Sequence, residues 1–133
     1  MVIKTLDQAD VKGRRVLVRA DLNVPAKDGK VTDATRINRF VPTVRDLIAG
    51  GAKVIVLSHF DRPKGKRVPS MSLKPVADAL AVAIRHRVTF ADDCIGPGAK
   101  KVVDAMQPGD VALLENLRFY PGEEANDPAF VKQ

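Results

Sequence analysis

The chain has 133 residues, 45% of them hydrophobic and 29% charged, which is enough for one domain with a real core and argues against disorder. Lys and Arg outnumber Asp and Glu by 22 to 16, a formal charge of +6, while aromatics make up only 5% and tryptophan is absent. Single-strand nucleic-acid binders interleave aromatics with their basic residues, so this composition points instead to a small polyanion such as a phosphorylated metabolite.

Strand and helix patterns alternate along the chain. Arg15-Val16-Leu17-Val18-Arg19 is a short β-branched run that predicts a first strand. It is followed by Asn23-Val24-Pro25-Ala26-Lys27-Asp28-Gly29-Lys30, rich in turn formers. A helix is expected from near Thr32 or Asp33, either of which can cap it, with Ile37, Phe40, Val41, Val44, Leu47 and Ile48 on one apolar face. Pro42 predicts a kink or a second start within it, and Gly50-Gly51 a C-terminal stop.

The cycle then repeats. Lys53-Val54-Ile55-Val56-Leu57-Ser58 reads as a strand buried on both faces of a parallel sheet. A Pro/Gly/Lys-rich loop covers 59–69, and Ser72 is placed to cap a helix to about Arg85 with Leu73, Val76, Ala77, Leu80 and Ile84 inward. Val88-Thr89-Phe90 predicts a third strand, 99–106 a helix, and Asp110-Val111-Ala112-Leu113-Leu114 a fourth strand. Gly96-Pro97-Gly98-Ala99-Lys100-Lys101 reads as a plain helix start in preference to an anion loop. The expected fold class is therefore α/β, a Rossmann-like parallel sheet with helices on both faces. Asp127-Pro128-Ala129-Phe130-Val131-Lys132-Gln133 reads as the first turn of a further helix, so the chain is expected to be part of something longer.

No apolar run approaches the roughly 18 residues of a membrane span. Met1–Asp7 lacks the apolar core of an export signal. The single cysteine, Cys94, cannot form an internal disulfide, in keeping with a reducing cytoplasm, and reads as a small apolar filler in preference to a catalytic thiol.

Ligands of open parallel sheets bind beyond the carboxyl ends of the strands. Arg19, Asp21 and Asn23 follow the first strand; His59, Asp61 and Arg62 follow the second; Glu115, Asn116 and Arg118 follow the fourth. Arginine offers a planar fork to phosphate or carboxylate, and Asp with Asn suits a hydroxyl that needs donor and acceptor. The pattern alone predicts a site for a small phosphorylated hydroxy-acid. Taken singly, Asp21 and Asn23 could be turn-makers, His59 a strand-end residue bonded to the backbone, and any arginine a solvated charge.

Leu17-Val18-Arg19-Ala20-Asp21-Leu22-Asn23-Val24-Pro25, Thr35-Arg36-Ile37, His59-Phe60-Asp61-Arg62-Pro63-Lys64-Gly65 and Leu114-Glu115-Asn116-Leu117-Arg118-Phe119 together resemble the phosphoglycerate kinases, over essentially the whole chain. The resemblance implies that residues 1–133 are part of the substrate-binding, N-terminal domain of a two-domain kinase, with the nucleotide-binding domain absent from this chain. It implies that Asp21 and Asn23 hold the hydroxyl and carboxyl end of 3-phosphoglycerate. His59, Arg62 and Arg118 would grip its phosphate, and Arg36, the expected catalytic residue, would steady the moving phosphoryl. ATP/ADP with Mg2+ would be bound mainly by the missing domain, and the protein would be a cytoplasmic monomer. The implied activity is reversible transfer between 1,3-bisphosphoglycerate and ADP, in a reaction that requires two domains to close, so this chain alone is expected to turn nothing over. The alternatives are a non-catalytic phosphometabolite-binding module and a polyanion binder using the net charge. One position departs from the family pattern: Asp61 stands where the family usually has glycine. Its carboxylate is expected either to turn away towards Arg62 or Lys64 or to weaken anion binding.

Overall fold

The structure is a computed structural model and describes residues 3–133; Met1 and Val2, where the reading of the N-terminal stretch begins, lie outside the described residues. Its elements are β1 (Arg15–Arg19), β2 (Ala26–Lys27), β3 (Lys30–Val31), α1 (Thr35–Ala49), β4 (Lys53–Leu57), α2 (Lys74–Ile84), β5 (Val88–Ala91), α3 (Gly96–Asp104), β6 (Val111–Leu114), α4 (Pro121–Glu124) and α5 (Pro128–Lys132). The four longer strands form one sheet in the order β1-β4-β6-β5, and every pairing in it is parallel. The four strands predicted from apolar runs are these four.

Alternation along the strands divides the core in two. Val16, Val18, Val54, Val56, Val88, Phe90, Val111 and Leu113 face one side, where they pack with Ile37, Val44 and Leu47 of α1 and Val76, Ala77, Leu80 and Ile84 of α2. Ile55, Leu57, Ala91, Ala112 and Leu114 face the other, with Ala99 and Val103 of α3, Leu117 and Phe130. Val54, Ile55 and Val56 are all buried, as expected of a strand covered on both faces. At the edge of the second face the cover thins: Leu17 is 65% exposed. A groove of about 850 Å³ runs there, floored by Leu17, Ile55, Leu57 and Leu114.

Helix ends follow their local chemistry. The Asp33 carboxylate accepts hydrogen bonds from the N–H and hydroxyl of Thr35, tying down the start of α1 and holding its own pKa below the usual carboxylate range. α1 runs unbroken through Pro42, so the second start predicted there is not found. Gly51 (φ +78°) turns the chain out of α1, a left-handed conformation that costs glycine little. α2 starts at Lys74, whose N–H donates to the Ser72 hydroxyl, and stops at the left-handed Arg85. Gly96 opens α3 as a plain helix start. Asp127 caps α5 by accepting the Ala129 N–H. The turn-rich 23–30 segment holds a small antiparallel hairpin, β2–β3, around Asp28-Gly29. Among the described residues no helix is long and apolar enough to cross a membrane.

Candidate functional site

Because β1, β4 and β6 are parallel neighbours, the loops that follow them leave from the same edge of the sheet. Below the rim of that edge lies a buried polar knot. The Ser58 hydroxyl, fully buried, accepts the Leu22 N–H and donates to the His59 carbonyl, joining the loops after β1 and β4. Asn116, also fully buried, accepts the N–H groups of Phe60 and Arg118 on Oδ1 and donates to the carbonyls of Phe60 and Met71 through Nδ2. Glu115 accepts the N–H groups of Leu73 and Asn116 and the Ser72 hydroxyl, so its carboxylate caps the entry to α2. Both Glu115 and Asn116 were grouped by position with the strand-end ligands. The structure assigns them to the scaffold, since a strand-end position specifies where a side chain starts but not which way it points.

Above the knot stand the exposed groups. The Asp21 carboxylate accepts the Asn23 N–H at 3.2 Å and pairs with Arg36 Nη1 at 3.1 Å. The same Nη1 donates to the Asn23 carbonyl at 2.7 Å, so the first turn of α1 is strapped to the loop after β1. Asn23 Oδ1 accepts the Asp61 N–H at 3.0 Å, which joins this loop to the one after β4 and aims the amide NH2 away from that bond. Asp61 itself is left-handed (φ +57°) where the family usually carries glycine, a conformation that Asp tolerates better than most residues. Its carboxylate accepts the neighbouring Arg62 N–H at 2.9 Å. It forms no ion pair with Arg62 or Lys64 among the described residues. Arg62 is exposed, and its guanidinium makes no protein hydrogen bond among the described residues.

His59 lies in the combined field of Arg118, Glu123, Arg19 and Asp21; burial first, and then the Arg118 cation, push its pKa below the ordinary value of 6.5. Arg118 Nε pairs with Glu123 Oε2 at 3.0 Å and with Glu124 Oε1 at 3.4 Å. Glu123 Oε1 pairs in turn with Arg19 Nη2 at 2.5 Å. These two cations depress the Glu123 pKa despite the burial that opposes it. The loop 59–69 is held down at its far end as well. Gly65 N–H donates to the Arg118 carbonyl, Arg67 donates to the Asp92 carbonyl, and its guanidinium lies 5.5 Å from the Phe119 ring centre. Asp21, Asn23 and Arg36 are thus brought together by direct bonds, and His59 joins Arg118 electrostatically, with Asp21 common to both groups. Arg62 has only its loop position to connect it. Glu123 escaped the sequence reading; its one visible signal is an acidic pair five and six residues after the arginine of the Leu114–Phe119 segment.

Cys94 is buried, and that burial, reinforced by Asp93, pushes its thiol up to about 12, so it stays protonated and inert. Among the described residues no cluster of three or more His, Cys, Asp or Glu could hold a metal ion, and the sequence has no Gly-x-x-x-x-Gly-Lys-Ser/Thr loop.

The class this defines is a parallel α/β domain with cationic and hydroxyl-compatible side chains gathered at its strand ends. A family model for phosphoglycerate kinase matches residues 6–133. Phosphoglycerate kinase of Granulibacter bethesdensis is 61% identical over 130 residues, covering 98% of this chain and 33% of that protein. That of Rhodopseudomonas palustris is 61% identical over 128 residues, covering 96% and 32%. The crystal structure of phosphoglycerate kinase from Pyrococcus horikoshii OT3 superposes with a TM-score of 0.83 at 31% identity, over 98% of this chain and 33% of its own. The chain belongs to the phosphoglycerate kinase family. It spans about a third of the length of the relatives it matches.

Proposed function

We propose that this chain forms the 3-phosphoglycerate side of a phosphoglycerate kinase, in which a phosphoryl group passes reversibly between 1,3-bisphosphoglycerate and ADP. The observation that carries the reading is that Asp21 and Asn23 after β1, His59 after β4 and Arg118 after β6 leave one edge of the sheet, with Arg36 of α1 strapped to the first of these loops, in a chain of this family. Asp21 and Asn23 serve the hydroxyl and carboxyl end of the substrate, since the pair offers both acceptor and donor. His59, Arg62 and Arg118 take the resident phosphate. Arg36 approaches the carboxyl group that accepts the phosphoryl. Such a transfer leaves the protein little covalent work, so positioning and neutralisation dominate its contribution. Nucleotide and Mg2+ belong to the remaining part of the protein, which supplies the phosphoryl chemistry when it closes on this site. The full protein works as a cytoplasmic monomer, a reading that rests on the family resemblance.

Calorimetric titration of 3-phosphoglycerate into the chain tests this, with glycerate as the unphosphorylated control. Weak, saturable binding of the phosphorylated acid alone is expected. Equal response to both acids, or to neither, would sink the assignment. In parallel, Asp61→Gly is expected to bind 3-phosphoglycerate about threefold more tightly, the effect of removing one exposed carboxylate from beside an anion site.

A further inference from the structure

Glu123 is the unexpected charge in a pocket argued to take an anion. Its side chain is only 7% exposed, and it sits between two arginines whose own elements are far apart in the chain: Arg19 at the end of β1 and Arg118 in the turn after β6. A buried carboxylate here could act in two ways. It could occupy the guanidinium groups and compete with an incoming phosphate, or it could hold them ready for one.

The atoms involved decide between these. Glu123 bonds Arg118 through Nε alone and Arg19 through a single Nη2. Both Nη groups of Arg118, and Nη1 with Nε of Arg19, make no hydrogen bond within the protein among the described residues. A guanidinium has five N–H donors; the two Nη groups of Arg118 form one edge that can receive a phosphate in a bidentate grip, whereas both two-donor edges of Arg19 include the Nη2 that already bonds Glu123. A carboxylate bridging two guanidinium groups also offsets their mutual repulsion. Without such a bridge, the exposed Arg19 (55%) would be free to leave the rim.

We propose that Glu123 is a positioning residue of the phosphate site, anchored by Arg19 on one oxygen and locking Arg118 by its Nε on the other, so that both Nη groups of Arg118 are left for the anion. The inference rests on the substrate reading above. It makes the short helix α4 part of the site, with Arg19 as the anchor of Glu123.

The charge-preserving Glu123→Asp separates positioning from simple electrostatics, because the shortened side chain cannot reach both arginines while the local charge is unchanged. Titration of 3-phosphoglycerate is expected to show weaker binding by about fivefold for Glu123→Asp and about tenfold for Glu123→Gln, the scale of one charge-assisted hydrogen bond. Arg19→Met, which removes the second anchor of Glu123, should weaken binding by no more than the Glu123→Asp change does. The Nε–H resonance of Arg118 in a side-chain 15N spectrum should be protected from exchange in the parent and lose protection in both Glu123 variants, with the backbone amide spectrum preserved. Tighter binding by Glu123→Gln, or parent-like binding by Glu123→Asp with Arg118 Nε–H protection lost, would overturn the positioning role and leave the substrate site standing. Failure of the parent chain to bind the phosphorylated acid would instead remove the site and this inference together. If Glu123→Gln does not fold, the Glu123→Asp and Arg19→Met titrations decide the matter.

Discussion

Two sets of polar residues leave the same sheet edge and do opposite work. Ser58, Glu115 and Asn116 are buried, and every polar side-chain atom among them that is shut off from solvent has a hydrogen-bond partner. Asp21, Arg36 and Arg62 are exposed and sparsely bonded, with Arg62 making no side-chain bond within the protein among the described residues. The difference teaches how such an edge is divided. Groups whose hydrogen-bonding capacity is satisfied internally close the loops, and groups with spare capacity are left open to solvent.

The comparison can be broken most sharply at Asn116. Asn116→Ala strands the N–H groups of Phe60 and Arg118 and the carbonyls of Phe60 and Met71 in a dry interior. It should cost about 4 kcal/mol, read as a shift of the denaturation midpoint in urea. A loss below about 1 kcal/mol would mean that the knot is not structural. Arg62→Gln probes the other set. It should leave stability within about 0.5 kcal/mol and weaken 3-phosphoglycerate binding about fivefold, measured by calorimetry alongside a melting curve.

The smallest expected effect concerns the border between the sets, where His59 and Glu123 sit. His59 has its folded pKa below the unfolded value of 6.5, so the unfolded chain binds the proton more readily, and stability falls as pH drops from about 6.5. Glu123 has its pKa depressed below 4.5 on folding, so its contribution is present above that value and is lost as pH falls through the folded one. Thermal melts should therefore decline in two stages on acidification. His59→Gln should flatten the first stage alone; an unchanged profile in that variant would assign the first stage to another group.

The regular elements were legible because each long strand and helix declares itself by periodicity. The apolar run 53–58 and the three-and-four spacing of Ile37, Val44 and Leu47 correspond to β4 and to the buried face of α1. β2 and β3 carry no such signal, since two-residue strands are too short to show a period. Pro42 removes one hydrogen-bond donor from α1, but tertiary packing of Ile37 and Val44 on either side keeps the helix whole. That the polar loops leave one sheet edge was legible from the strand pattern, and the cations there from their residue types. The division between knot and rim was not, because burial of Glu115 and Asn116 depends on α2 and its preceding turn arriving over them. Asp61 shows a different limit. Its departure from glycine was visible, but not the bond from its carboxylate to the Arg62 N–H that accompanies the left-handed backbone.

The bridge from Arg19 to Glu123 joins residues 104 positions apart. Closing so long a loop is entropically slow, and a parallel sheet with crossovers at each step delays it further. The Arg19–Glu123 bridge is therefore expected to close late in folding, after β1, β4 and β6 have paired. A partly folded chain can hold much of its helix and still lack the pocket, which makes phosphate-ester binding a more stringent report of complete folding than circular dichroism. A nick anywhere between β1 and α4 would make that closure bimolecular, so anion affinity should be among the first properties lost to limited proteolysis.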